Sequence, residues 1–174
     1  SAGFPTRTTD DTDRGYENLS ASARVSADIG RAEVTVQHWR AEGTSEYSDF
    51  FLTPVDQDFA NSAASVEARF NPAEAWQSRV AVGLMRDSLR QNQSNFMGDH
   101  DFLHTQRWSV DWQNDIAASR HHAVTAGVLL QRERADTLSY GEGFDTSTDV
   151  DLYYVQDRIE AGRHRALAAE VERR

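Results

Sequence analysis

The sequence predicts an all-β fold, an antiparallel up-and-down meander that forms part of a transmembrane β-barrel. Apolar and polar residues alternate along nearly the whole chain, which is typical of strands with one apolar and one wet face. The breaks between these segments are short and long in turn, which places all tight turns at one end of the meander. Transmembrane barrels have this asymmetry, with short turns on one side and long loops on the other.

The alternating segments predict seven strands and the beginning of an eighth. In chain order they are Tyr16–Ile29, a segment beginning at Ala32, 59–70, a segment beginning at Trp76, segments around 108–116 and 124–130, one from 148 to about 161, and one beginning at His164. Short breaks fall at 30–31, 71–75, 118–121 and 162–163, and long polar stretches at about 41–58, 88–101 and 135–147. The seventh segment has apolar residues in both alternating sets, so its faces stay unassigned. The eighth segment loses its alternating pattern in the mostly charged stretch 170–174.

The composition excludes several classes of protein. The longest uninterrupted apolar or glycine run, 80–85, is far shorter than the ~18 residues of a membrane helix. The absence of cysteine excludes disulfides, thiolate metal sites and a cysteine nucleophile. With 28 acidic and 18 basic residues, a net charge of −10 and no basic block, we expect no nucleic-acid partner. Neither a recognisable nucleophile motif nor a glycine-rich phosphate loop is found, so we do not expect an enzyme.

Soluble lipocalin-like barrels and sandwiches show the same alternation and are the alternative fold. Three large connections on one side and short turns on the other favour the membrane. Phe70 and Trp76 flank a tight turn on the apolar face, where a membrane barrel carries an aromatic girdle. The opposite residues are densely charged, as expected of a wet lumen. Seven or eight strands just close a small barrel, but the polar start and the broken last segment lead us to expect part of a larger one.

Two acidic groups are candidates for calcium binding. Asp11 and Asp13 precede the first strand, and the long stretch 41–58 carries a second group that consists of Glu46, Tyr47, Asp49, Asp56 and Asp58. Carboxylates are hard oxygen ligands that suit calcium, and adjacent loops of a meander are neighbours in space. The alternative is a pair of solvated acidic loops, and the spacing does not fit an EF-hand.

Other candidate residues carry weaker signals. Residues 50–52 form an apolar patch, Phe-Phe-Leu, within the same stretch, which either packs between loops or touches a ligand. Four histidines lie in or beside breaks, at positions 100, 104, 121 and 122. We interpret them as solvated side chains rather than a transition-metal site.

Four segments resemble barrel segments of TonB-dependent outer-membrane receptors. They are 12–18 (TDRGYEN), 44–50 (TSEYSDF), 111–115 (DWQND) and 154–158 (YVQDR). The likeness covers about residues 10–168 and is closest to the members of the family that import cobalamin. It implies a 22-stranded barrel with an N-terminal plug in the outer membrane of a Gram-negative bacterium, in which 1–174 form part of the barrel domain without the plug.

The resemblance also implies calcium ligands. In the family, aspartates before one strand and residues of the next loop bind calcium, which orders the loops over the substrate. Asp11 and Asp13 match the Asp-x-Asp element, and Tyr47 matches the tyrosine at the same spacing from it. Ser48 follows Tyr47 where the family has an aspartate, and Asp49 takes that place only with a shift of one residue.

Further implied roles concern the ligand and the partners. Asp58, or alternatively Asp56, matches the acid farther along the loop, whereas Phe50 and Asp101 fall near positions that touch the substrate. The resemblance implies import of cobalamin, contact with outer-membrane lipid, energy coupling to the TonB complex through the plug, and a monomer at full length. A receptor for another metal chelate, such as a siderophore, and a soluble ligand-binding barrel are the alternative functions.

Overall fold

The computed structural model describes residues 15–48, 54–93, 101–161 and 164–173. Within these residues the chain forms eight strands: β1 (Tyr16–Ile29), β2 (Ala32–Ser48), β3 (Pro54–Ala73), β4 (Trp76–Gln93), β5 (Phe102–Ala117), β6 (His122–Ser139), β7 (Glu142–Ala161) and β8 (His164–Arg173). They make one sheet in which each strand is antiparallel to the next, in the order β1 to β8. The sheet is open, with β1 and β8 at its edges. The predicted all-β meander is confirmed.

One face of the sheet is apolar, and aliphatic residues lie opposite one another across its strands. A line of mutually paired residues crosses the first six strands: Val25, Val36, Val66, Val82, Val110 and Leu130. Because successive side chains of a strand point to opposite sides, this line determines on which face each of the remaining strand residues lies. We call the side that carries these valines the apolar face. It consists of the odd-numbered residues of β1 and β7 and the even-numbered residues of β2 to β6.

The opposite side, which we call the polar face, is lined by small and charged residues. The neighbouring line of paired residues lies on it: Arg24, Gln37, Ser65, Gly83, Ser109 and Gln131. The register also assigns the seventh strand, whose faces the sequence left open. Tyr153 pairs with Val128 and lies on the apolar face, whereas Tyr154 pairs with Gly127 and lies on the polar face.

The third long connection of the sequence analysis is a tight turn instead. β6 continues to Ser139 and β7 begins at Glu142, so only Tyr140 and Gly141 connect them. Both residues have positive φ, 51° and 80°, which matches a type I′ turn and the twist of the strands it joins. The expectation that all tight turns lie at one end is therefore wrong, as is the predicted start of the seventh strand at 148.

The other two long connections are also shorter than predicted. Residues 41–48 and 54–58 belong to β2 and β3, and residues 88–93 belong to β4. These segments carry few apolar residues, among them Ala41 and Val55, so the alternation that marks a half-buried strand is weak although the backbone pairing continues. The tight turn at 71–75 likewise shrinks to 74–75, with a register shift between Phe70 and Ala73.

The last strand is longer than the sequence indicates. β8 pairs with β7 from His164, opposite Ala161, to Arg173, opposite Leu152. The expectation that residues 170–173 leave the strand is wrong, because the backbone groups of β7 provide pairing that does not depend on the charged side chains of β8. Residue 174 lies outside the described residues.

Candidate functional site

The apolar face carries a band of large side chains that no other described strand covers. Among the described residues, the only buried apolar side chains are Ala41 and Val55. Leu19, Val25 and Ile29, by contrast, are each more than 60% exposed. A contiguous exposed apolar surface of this kind is typical of a face that contacts lipid or another protein.

This apolar band has definite borders along the strands. We define it by the apolar-face residues of seven segments: 19–29, 32–36, 64–70, 76–84, 108–116, 124–130 and 153–155. The band has a second border at its end distant from the turn at 74–75. Beyond that border the same face carries charged side chains, for example Arg40, Arg86 and Arg132. The band narrows on β7, where only Tyr153 and Val155 lie between Asp151 and Asp157. The apolar surface therefore covers part of the length of each strand.

Two tryptophans shield the polar side chains within the band. Trp112 Nε1 donates a hydrogen bond to Ser78 Oγ over 3.0 Å, and Trp76 Nε1 donates to Asn114 Oδ1 over 3.0 Å. Ser78 and Asn114 pair across β4 and β5 and are 1% and 9% exposed. The Ser78 hydroxyl and the Asn114 side-chain oxygen are therefore satisfied within the sheet rather than by water.

The polar face is held together by ion pairs between strands. Arg79 on β4 connects its two neighbours, with Nε 2.7 Å from Glu67 Oε2 on β3 and Nη1 2.9 Å from Asp111 Oδ2 on β5. Arg107 of β5 pairs with Glu133 of β6 at 2.6 Å. Together with small residues such as Gly83, the first network lines a recess of about 400 Å³. This face is built for contact with water or with polar protein.

On the polar face, two aromatic side chains each extend over a glycine of the neighbouring strand and contact a residue of the strand after it. Tyr154 of β7 lies over Gly127 of β6, and its hydroxyl donates to Gln113 Oε1 of β5 over 3.3 Å. Phe59 of β3 lies over Gly43 of β2 and stacks on Tyr16 of β1, with ring centroids 6.0 Å apart. A β-carbon at Gly127 would lie 2.3 Å from Tyr154 Cζ, and one at Gly43 2.8 Å from Phe59 Cζ. At Gly43 the atom nearest to such a β-carbon is the backbone carbonyl oxygen of Glu17, so glycine is required there, whereas at Gly127 an added β-carbon displaces the Tyr154 ring.

The structure describes only part of the predicted calcium site. Asp11, Asp13 and Asp49 lie outside the described residues, as does the predicted ligand contact Phe50. Tyr47 is on the polar face, where its hydroxyl accepts a hydrogen bond from Gln91 Nε2 over 2.8 Å.

The second described candidate, Asp58, lies on the other side of the sheet from Tyr47. Its two oxygens accept hydrogen bonds from Thr44 Oγ1 at 2.7 Å and Asn92 Nδ2 at 3.1 Å. Tyr47 and Asp58 therefore do not converge on one point from their strand positions. Among the described residues, no three histidine or acidic side chains are grouped so as to hold a metal ion.

Asp101, the second predicted ligand contact, supports the β6–β7 turn. Its Oδ1 accepts the backbone N–H of Tyr140 over 2.8 Å, and its Oδ2 accepts the Ser139 hydroxyl over 3.2 Å. Its backbone carbonyl also accepts the N–H of Gln91 over 2.8 Å. Asp101 therefore joins three strand ends, which is a structural role that the sequence analysis did not find.

Two of the histidines singled out in the sequence, His104 and His122, make local contacts. His104 stacks on Phe102 with ring centroids 4.8 Å apart, and His122 Nδ1 lies 3.0 Å from Asp157 Oδ2. Each is thus engaged by a neighbouring side chain.

The aromatic and glycine pairs were also missed by sequence reasoning. The available signal was a glycine at a polar-face position inside a strand, which marks a close approach by another group. Identifying the partner requires the register, since Tyr154 and Gln113 are 41 residues apart.

Comparisons with protein-family models, curated proteins and solved structures find no match for this chain. Within the described residues, no helix is long and apolar enough to cross a bilayer.

Proposed function

We propose that this chain is part of the β-barrel of a TonB-dependent receptor in the outer membrane of a Gram-negative bacterium, which imports cobalamin or a related metal chelate. The observation that carries the membrane assignment is the apolar band on one face of the sheet. On β4 and β5 it covers residues 76–84 and 108–116, close to the 9–11 residues that a tilted transmembrane strand needs.

The shape of the band supports contact with lipid. At the end of the sheet that carries the turn at 74–75, the band ends on β1 to β3 at the paired residues Ile29, Ala32 and Phe70. On β4 to β6 it ends at the paired residues Trp76, Ile116 and Val124. This second row of residues lies closer to the turns than the first row does. Strands that tilt in a barrel produce this stagger, because a level border in the membrane crosses successive register lines.

The polar face supports a hydrated lumen. The Glu67–Arg79–Asp111 network is at most about one-third exposed even in the open sheet, and large barrels carry polar residues inside. A soluble barrel with the apolar face inward would instead enclose Arg86, Arg134 and Asp149, which lie on that face beyond the band. The same face therefore fits lipid better than a closed protein interior.

Calcium remains our proposed structural cofactor, bound at the strand ends distant from the turn at 74–75. Its proposed ligands are Asp11, Asp13, Asp49 and Tyr47. The hydrogen bonds of Asp58 to Thr44 and Asn92 make this fifth candidate the weakest member of the set. Calcium would order the loops over the substrate and supply no chemistry.

Binding of cobalamin to the full-length protein tests the transport proposal. We expect tighter binding with calcium than with a chelator, and a loss of that difference in Asp11→Asn/Asp13→Asn. Asp136→Asn/Asp145→Asn removes two exposed carboxylates from β6 and β7 and serves as the matched control. Equal affinity with and without calcium would contradict the calcium site, and absence of cobalamin binding would leave other chelates as the substrate class.

A further inference from the structure

We infer that Arg86 and Arg134, which flank Gln106 on the apolar face beside Arg132, bind the phosphate of an anionic lipid headgroup. The inference rests on the proposed membrane location, since it requires the apolar band to contact lipid. It assigns a lipid site to the border of the band that is distant from the turn at 74–75.

The register brings these arginines together. Arg86 of β4 pairs with Gln106 of β5, which pairs with Arg134 of β6, so all three lie in one line on the same face. The backbones of Arg86 and Arg134 are thus separated by two strand spacings, roughly 10 Å. Two arginine side chains easily converge over that distance, and the Gln106 amide between them offers a further donor.

The line lies at the edge of the apolar band. One step toward the band, the paired residues are Leu84, Trp108 and Arg132. A tryptophan beside arginines is the composition expected at the level of lipid headgroups, with the ring in the interface and the guanidinium groups in water. A lipid whose chains lie along the band would place its phosphate at this line.

Two of the arginines are available for a ligand. Arg86 and Arg134 are exposed and have no ion-pair or hydrogen-bond partner among the described residues. Arg132 is positioned by its neighbours, with its guanidinium 5.6 Å from the centre of the Trp108 ring and Nε 2.7 Å from Asp149 Oδ1. Guanidinium groups bind phosphate through paired N–H donors, so Arg86 and Arg134 supply the charge that the site offers.

Acidic side chains near the site determine from which side a phosphate can approach the arginines. Asp149 is already paired with Arg132, and Asp136 and Asp145 lie opposite each other one step farther from the band. A phosphate at the band edge therefore approaches the arginines from the lipid side, and Asp136 and Asp145 remain on the water side. This order of charges favours a lipid headgroup over a free anion that arrives from solution.

Spin-labelled lipids measure the proposed preference directly. The full-length protein is reconstituted in vesicles of phosphatidylcholine that contain either spin-labelled phosphatidic acid or spin-labelled phosphatidylcholine, and the immobilised fraction of each lipid is compared. We expect phosphatidic acid to be preferred about fivefold, and the preference to fall to about onefold in Arg86→Gln/Arg134→Gln. High salt should reduce it in the unmodified chain.

The matched control removes two arginines elsewhere. Arg24 lies exposed on the polar face and Arg120 in the turn after β5, and Arg24→Gln/Arg120→Gln should keep the preference. An equal loss in both variants, or no preference in the unmodified chain, would overturn the lipid site. Protease protection in pure phosphatidylcholine tests insertion separately. Protection without lipid preference contradicts only the lipid site, whereas absence of protection contradicts the membrane assignment and the lipid site with it.

Discussion

Trp112 of β5 donates its indole N–H to the hydroxyl of Ser78 on β4, 34 residues earlier in the chain, over 3.0 Å. Ser78 is 1% exposed although it lies on an apolar face that no other described strand covers. The bond therefore satisfies two polar groups where water is excluded by the tryptophan itself. In contact with lipid such a bond would have no competitor from solvent.

Replacing Ser78 by alanine should weaken the sheet. The variant leaves the Trp112 N–H without an acceptor, which costs about 1–3 kcal/mol when the group stays buried. Urea unfolding in vesicles, followed by tryptophan fluorescence, measures the change. Trp112→Phe removes the donor, so Ser78→Ala should cost less in that background, with a coupling of about 1 kcal/mol. Additive effects of the two substitutions would contradict a direct bond.

Arg79, which pairs with two acidic side chains, should contribute more to the stability of the sheet than Arg107, which pairs with one. Arg79→Gln breaks contacts to Glu67 and Asp111 and leaves the two acids facing each other, and we expect a loss of about 1–2 kcal/mol of stability at low salt. Arg107→Gln breaks one pair, in which Arg107 is 47% exposed, and should cost less than about 1 kcal/mol. Denaturant titrations at two ionic strengths make the comparison, and equal costs would count against the bridge.

The glycine beneath Tyr154 should not tolerate a side chain. Gly127→Ala places a β-carbon within 2.3 Å of the Tyr154 ring, so the ring must move and lose its bond to Gln113. We expect about 1–3 kcal/mol of destabilisation, which Tyr154→Ala should largely relieve in the double variant. Gly83→Ala is the control, because the nearest atom, 3.0 Å away, is the rotatable hydroxyl of Ser109. Equal effects at the two glycines would contradict the account.

Asp101 should stabilise the β6–β7 turn. Asp101→Ala removes the acceptors for the Tyr140 N–H and the Ser139 hydroxyl, so we expect faster proteolytic cleavage at 140–141. Asp101→Asn keeps an oxygen acceptor and should lie closer to the unmodified chain. Unchanged cleavage in Asp101→Ala would show that the carboxylate does not hold the turn.

The sequence predicts the strands well where one face is apolar and the other polar. Tyr16–Ile29 is recovered with both of its ends, because every second residue there is apolar. The sequence predicts a loop at 135–147 because its few apolar residues do not alternate with polar ones, so the period that marks a strand is absent. The turn at Tyr140 and Gly141 lacks the Asn-Gly pair that usually identifies a type I′ hairpin.

The candidate site depends on register, which the sequence does not specify. Tyr47 and Asp58 were grouped because both were expected in one flexible loop. Once residues 41–48 and 54–58 are strands, alternation places the two side chains on opposite faces. Arg86 and Arg134 show the converse, since residues far apart in sequence share one line of the sheet.

A charge placed on either side of the sheet distinguishes its two faces. Val82 lies in the valine line of the apolar face, and Ala81, its neighbour in sequence, lies on the polar face between Glu67 and Asp111. An arginine that faces the centre of a bilayer costs about 2–4 kcal/mol in a membrane barrel, whereas substitutions toward the lumen cost little. The variants Val82→Arg and Ala81→Arg therefore place the same charge at the same membrane depth, the first toward lipid and the second toward the lumen.

The most direct measurement is the free energy of insertion of the full-length protein with each of these two substitutions into phosphatidylcholine vesicles, obtained from urea titrations beside the unmodified protein. The account predicts that Val82→Arg loses about 2–4 kcal/mol and Ala81→Arg less than about 1 kcal/mol. Equal losses in the two variants, or a full-length protein that stays monodisperse in buffer without detergent and does not insert, would contradict the membrane barrel.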